Sequence, residues 1–109
     1  MSLADELAQD MMSDSERYRL KTKTSPIAYR QMIATHGGVE TTRRLIASSE
    51  AHIGFTRAWE FGALYLTAEY LAVYGRKGHY RALFTEAEVM KATKRLNDYG
   101  LKAEHPEGL

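Results

Sequence analysis

The chain has 109 residues, room for one domain and not for two. It is 44% hydrophobic and 27% charged with no cysteine, so a core of ordinary size is allowed and disulfides and thiolate metal sites are excluded. Net charge is only +1 but unevenly spread: residues 1–16 hold Asp5, Glu6, Asp10, Asp14 and Glu16 with no base, a net of −5, and residues 17–49 hold seven Lys or Arg against Glu40 alone, a net of +6.

The first helix is predicted from about Ser2 to about Lys21. Leu3, Leu7, Met11 and Tyr18 recur near the helical period, and acids at the start with bases at the end suit the helix dipole. Thr24-Ser25-Pro26 then restarts the chain, with Ser25 as the expected cap and Pro26 in the first helical position. Tyr29, Met32, Ile33 and His36 share a face, and Gly37-Gly38 ends that helix. A short helix from about Val39 to about Ser48 turns Val39, Leu45 and Ile46 inward, and a polar connection follows.

The turn from Phe55 to about Phe61 holds the only Trp and two of the three Phe, and Gly62 closes it. It reads as a buried hub of Phe55, Trp59 and Phe61 packed on Leu96 or Val89 of the last helix. Thr67 caps a helix carrying Tyr70, Leu71, Val73 and Tyr74, which Gly75 stops. Residues 75–84 read as a basic loop. Thr85-Glu86-Ala87-Glu88 is a capping box opening the last helix, whose inner face is Val89, Ala92, Leu96 and Tyr99 and whose stop is Gly100. No segment sustains a period of two. The fold class is therefore all-α: a compact bundle of about five to six short helices in one domain over 1–101, with 102–109 as a flexible tail. The first helix, 1–23, is the element expected to dock loosely, to pair with a second copy in a homodimer or to lie against a partner, because the pattern from Tyr29 to Gly100 looks complete without it.

No apolar run is long enough to cross a membrane, and the acidic N-terminus is not a secretory signal, so a cytoplasmic protein is expected. Gly37-Gly38-Val39-Glu40, the Gly54-Phe55-Thr56-Arg57 block with Trp59-Glu60 and Gly62, Leu66-Thr67 with Glu69, and Leu83-Phe84-Thr85 with Glu88 and Tyr99-Gly100 resemble a small bacterial helical domain of uncharacterised function. The likeness runs from roughly Tyr29 to Gly100. It implies a domain that occurs alone or attached to larger proteins, some related to restriction and nuclease systems, and supplies no catalytic residues. Ala58 and Ala63 stand where larger residues are expected, and Gly78-His79-Tyr80 replaces a more acidic or Pro-containing loop.

No catalytic motif is present, and neither a metal nor a cofactor is expected. His36, His52, His79 and His105 are too far apart in sequence for a zinc site, and His36 reads as a bond to a helix end. Glu60 and Glu69 could be paired carboxylates but read more simply as a helix-face partner of Arg57 and a first-turn acid. Gly37-Gly38 lacks the strand and the Lys-Ser or Lys-Thr of a phosphate loop. The basic segments are the feature with a partner. Arg17, Arg19, Lys21, Lys23, Arg30, Arg43 and Arg44 form the candidate binding patch, and Arg76, Lys77, His79 and Arg81 form a second basic loop. The expected function is a non-enzymatic protein-interaction module, an accessory subunit or small inhibitor of a nuclease-type machine, with the acids from Asp5 to Glu16 as phosphate mimics. The alternative is direct nucleic-acid binding through 17–23, 43–44 and 76–81, where bases neutralise phosphates and Tyr stacks on unpaired bases.

Overall fold

The computed structural model describes residues 1–101, which form five α-helices and no strand. Helix α1 spans Leu3–Thr22, α2 Ile27–Ala47, α3 Ile53–Glu60, α4 Ala68–Tyr74 and α5 Glu86–Asp98. Two 3₁₀ segments, Leu64–Leu66 and Gly75–Leu83, flank α4. The expected tail lies outside the described residues.

Caps explain most boundaries. The Ser2 hydroxyl accepts from the Asp5 N–H and the Asp5 carboxylate accepts from the Ser2 N–H, a capping box at the start of α1. Thr85 and Glu88 make the same reciprocal pair before α5, and the Thr67 hydroxyl accepts from the Tyr70 N–H before α4. Helix α2 departs from expectation. Pro26 itself occupies the cap position, no side chain caps the helix, and Ser25 contributes only its carbonyl, to the Ile27 N–H. The break at Gly37, with φ 82°, separates two helical stretches as anticipated.

Gly38 has a second role. A Cβ there would stand 3.0 Å from the backbone N and Cα of Ala8, so its bare Cα is what lets α1 and α2 touch. Beside this contact Leu7 and Met11 are fully buried, and the Thr42 hydroxyl donates to the Gly38 carbonyl at 2.8 Å. Helix α1 is therefore part of the core and not a loosely docked arm. Its apolar stripe is covered by its own chain, which removes the ground for a homodimer built on that stripe.

The hub is also corrected in part. Phe55 and Leu96 are fully buried, and Phe55 meets Tyr99 edge-on at 5.0 Å. Trp59 is 49% exposed and Phe61 41% exposed. The inward face of the short α3 lies between Phe55 and Ala58, and Trp59 falls roughly 70° to one side of it at 3.6 residues per turn. Trp59 instead lays one edge on Tyr99 at 5.6 Å, and Phe61 follows the end of the helix. The place expected for a large residue at Ala58 and Ala63 is filled by Tyr18, which packs with both in a satellite cluster with Leu66.

The stretch from Gly75 is ordered. Arg76, Lys77 and Gly78 all have positive φ, a turn that non-glycine residues adopt only under strain. It is held down by the fully buried Tyr80, whose hydroxyl donates to Asp10, and by a two-pronged Arg76–Asp10 pair.

Phe55→Ala should lower stability by about 3–5 kcal/mol, the usual loss for a buried aromatic, and Trp59→Ala by no more than about 2 kcal/mol. Urea melts of both variants check the order; equal losses would restore the Trp-centred hub. Gly38→Ala should destabilise by about 1–3 kcal/mol, because crowding against the α1 backbone outweighs the roughly 1 kcal/mol that Ala gains in helix propensity. A higher melting point for Gly38→Ala would show that the two helices have slack.

Candidate functional site

A cleft of about 570 Å³ opens where the end of α1, the starts of α2 and α3, and the turn into α4 meet. Its buried walls include Tyr18, Leu66 and Ala68; Tyr29, Met32 and Leu45 are partly buried. Two large aliphatic side chains beside it stand in solvent: Ile27 is 62% exposed and Ile53 84% exposed. The backbone makes this space. Lys23 adopts a left-handed conformation that ends α1, and the non-helical residues from Thr24 to Pro26 carry the chain across to α2. The Tyr18 hydroxyl donates to the Gly54 carbonyl at 3.0 Å and fixes α3 against α1.

At the inner side lies a buried polar cluster. Glu69 on α4 is fully buried, and its Oε2 is 3.4 Å from Arg95 Nη1 and 3.3 Å from His52 Nε2. Arg95 also donates to the carbonyls of Leu45, at 2.9 Å, and Ser48, at 2.5 Å, so it closes the end of α2 while pairing with α4. His52 caps α3, its Nδ1 accepting from the Phe55 N–H. The His52–Glu69 approach is close but not aligned as a hydrogen bond. Four buried atoms have no hydrogen-bond partner among the described residues: Tyr29 Oη, Thr41 Oγ1, His52 Nε2 and Glu69 Oε1. Burial, followed by the charges of Glu69 and Asp14, pushes the Tyr29 hydroxyl above its ordinary pKa.

Sequence reasoning did not find this cluster. Its signal was an acid inside the otherwise apolar stretch from Leu64 to Val73, and an Arg beside Leu96 on the inner face of α5. Glu60 is exposed whereas Glu69 is fully buried against Arg95, so the two do not form a carboxylate couple, and Glu60 makes no ion pair with Arg57 among the described residues. His36 is exposed, 3.4 Å from an Arg44 nitrogen, and does not bond a helix end. Among the described residues no group of three or more His, Asp or Glu could hold a metal.

The predicted basic patch is divided. Arg30 donates to Ser15 and Gly38 lies against Ala8, so α1 and the stretch of α2 up to the Gly37 break run antiparallel, whereas Thr42 beyond the break comes back to Met11. Arg17, Arg19, Lys21, Lys23 and Arg30 gather at the cleft end. Arg43 and Arg44 lie beyond the Gly37 break, next to Leu83, Glu88 and Glu40. Many of the bases are already paired: Arg17 with Asp14, Arg19 with Glu16, Arg43 with Glu88, Arg44 with Glu40 and Arg76 with Asp10. Lys77, His79 and Arg81 of the second basic loop are exposed. The acids proposed as phosphate mimics are largely the other halves of these pairs, and Asp5 belongs to the capping box.

No protein-family model matches this chain, and no curated protein or solved structure matches it. No helix among the described residues is long and apolar enough to cross a membrane.

On the other side of α1 a second cavity of about 290 Å³ is lined by Asp10, Asp14, Arg17, Tyr65 and Tyr70 among others. Asp14 is 5% exposed. Burial pushes its carboxyl up to about 6, Arg17 opposes the rise, and the neighbouring Asp10 adds to it. Asp10 itself is held low, first by its hydrogen bond from Arg76. The folded Asp14 thus keeps a proton that the unfolded chain releases near 3.8. Stability from this group is full below that value and is lost as pH rises towards 6, by roughly 1–3 kcal/mol. Asp14→Asn should flatten the fall in stability between these two pH values. Parallel pH profiles of the two proteins in urea melts would show that Asp14 is not the titrating group.

Proposed function

We propose that this chain is a non-enzymatic protein-interaction module that receives apolar side chains of a partner protein in the cleft between α1, α2 and α3. The observation that carries this reading is the pairing of an apolar cleft with Ile27 and Ile53, both large, aliphatic and solvent-exposed, on its lining. Apolar side chains that converge on a concavity mark interaction sites, and anchors filling such pockets dominate binding energy. The Glu69–Arg95–His52 cluster supports a structural role: Glu69 is sealed from solvent and Arg95 is tied to backbone carbonyls.

An accessory subunit of a nuclease-type machine in the cytoplasm is the form this module takes in our reading. Inhibition by phosphate mimicry draws no support, because Asp10, Asp14 and Glu16 are held in intramolecular pairs. Direct nucleic-acid binding keeps support from the bases at the cleft end and from the exposed Lys77, His79 and Arg81, and loses Arg43, Arg44 and Arg76, which are paired with acids.

The test uses tagged wild-type protein and an Ile27→Asp/Ile53→Asp variant as parallel baits in the same cell extract, with circular dichroism to show that both are folded. A protein retained in stoichiometric amount by the wild type should fall at least about tenfold with the variant. Equal retention by both baits would refute the cleft. Release of the partner by nuclease treatment would shift the reading to nucleic acid.

A further inference from the structure

Resting on that reading, we infer that the occupant of the cleft is an acidic amphipathic segment, an apolar stripe flanked by carboxylates. Cations outnumber acids around the cleft. Lys21, Lys23, Arg30 and Arg57 make no ion pair among the described residues, whereas Arg17 and Arg19 in the same region do.

Each of the four cations is tied to the cleft. Arg57 lines it directly. Arg30 donates to Ser15, a lining residue, at 2.7 Å. Lys23 precedes the lining Thr24, and Lys21 lies over the Tyr65 ring at 5.3 Å, next to the lining Leu66. Arg30 engages only a neutral hydroxyl by hydrogen bond, and the Lys21 ammonium reaches the Tyr65 hydroxyl at 3.3 Å and the ring below it. Glu16 lies within electrostatic reach of Arg30, and Glu60 acts on the wall residue Tyr18 together with Arg57, so part of this charge is offset and the excess acts outward. Within the roughly 8 Å over which charges are felt at physiological salt, a guest in the cleft meets more cations than acids. Carboxylates beside its apolar anchors would be attracted and ammonium groups repelled, so the collar selects the guest and the cleft holds it.

Nucleic acid fits less well, because phosphates and bases leave Ile27 and Ile53 without apolar cover. The guest is a chain segment because Ile27 and Ile53 add two separate exposed apolar contacts to the lining, which successive side chains of one amphipathic helix would cover.

Three labelled helical peptides of about 16 residues test this, sharing one Leu/Ile stripe and differing only in flanking residues, Glu, Gln or Lys, with binding read by fluorescence anisotropy. The Glu-flanked peptide should bind at least about tenfold more tightly than the Lys-flanked one, and the gap should narrow as salt rises. Ile53→Asp should abolish binding of all three, and Lys23→Glu with Arg57→Glu should invert the preference. Equal binding of all three peptides, still lost with Ile53→Asp, would overturn the acidic occupant and leave the docking reading standing. No binding by any peptide would overturn both. A single-stranded oligonucleotide that binds as tightly as the Glu-flanked peptide and ignores Ile53→Asp would replace the acidic segment with phosphate recognition. A doubled mass for the free protein, suppressed by Ile53→Asp, would make a second copy the occupant.

Discussion

The fold turns on a single buried carboxylate. Glu69 sits in α4 with no exposure to solvent, and such a group is tolerable only if it is paired. Arg95 reaches it from α5, and the same guanidinium closes the carbonyls that α2 leaves open at Leu45 and Ser48. His52, which starts α3, approaches from the third side. Four helices are thereby referred to one charge. Removing either member of the Glu69–Arg95 pair would leave the other buried and uncompensated, which is why a pair of modest net worth can still decide the arrangement.

The cleft follows from that arrangement. Because His52 must cap α3 while facing Glu69, α3 begins close to the inner cluster and runs outward. Tyr18 then bonds the Gly54 carbonyl from α1, and the small Ala58 and Ala63 leave room for its ring. Gly38 brings α2 against the first half of α1, Arg30 bonds Ser15 nearer its end, and the Lys23 turn leads the chain from one helix to the other. The concavity is bordered by the chain crossing between the two helices, Thr24 to Pro26.

Charge is distributed by the same geometry. The sequence separates an acidic start from a basic middle, but α1 is a continuous helix, so Asp14 and Glu16 lie one turn from Arg17 and Arg19 and pair with them. Asp10 is claimed from far along the chain by Arg76 and Tyr80. Near this end of the molecule the bases left without an ion pair are Lys21, Lys23 and Arg30, beyond the paired Arg17 and Arg19, together with Arg57. They fall at the cleft because α1 ends there.

Much of the architecture was legible in the chain. The spacing of Leu7, Met11 and Tyr18, the capping sequences at Thr67 and Thr85, and the Gly37 break are local, since a helix and its caps are decided by residues within a turn of one another. Patterning also placed Phe55 and Leu96 in the core. Trp59 was misplaced because its residue type argues for burial, whereas its position at the edge of the face of an eight-residue helix depends on which neighbours that helix meets. Gly38 read as part of a helix stop, and its closer role needs the Ala8 backbone opposite it. The Glu69–Arg95–His52 cluster, the division of the basic patch and the cleft belong wholly to tertiary structure. Each joins residues from separate helices, and the mutual angles of those helices are set by packing and buried pairing that no local spacing encodes.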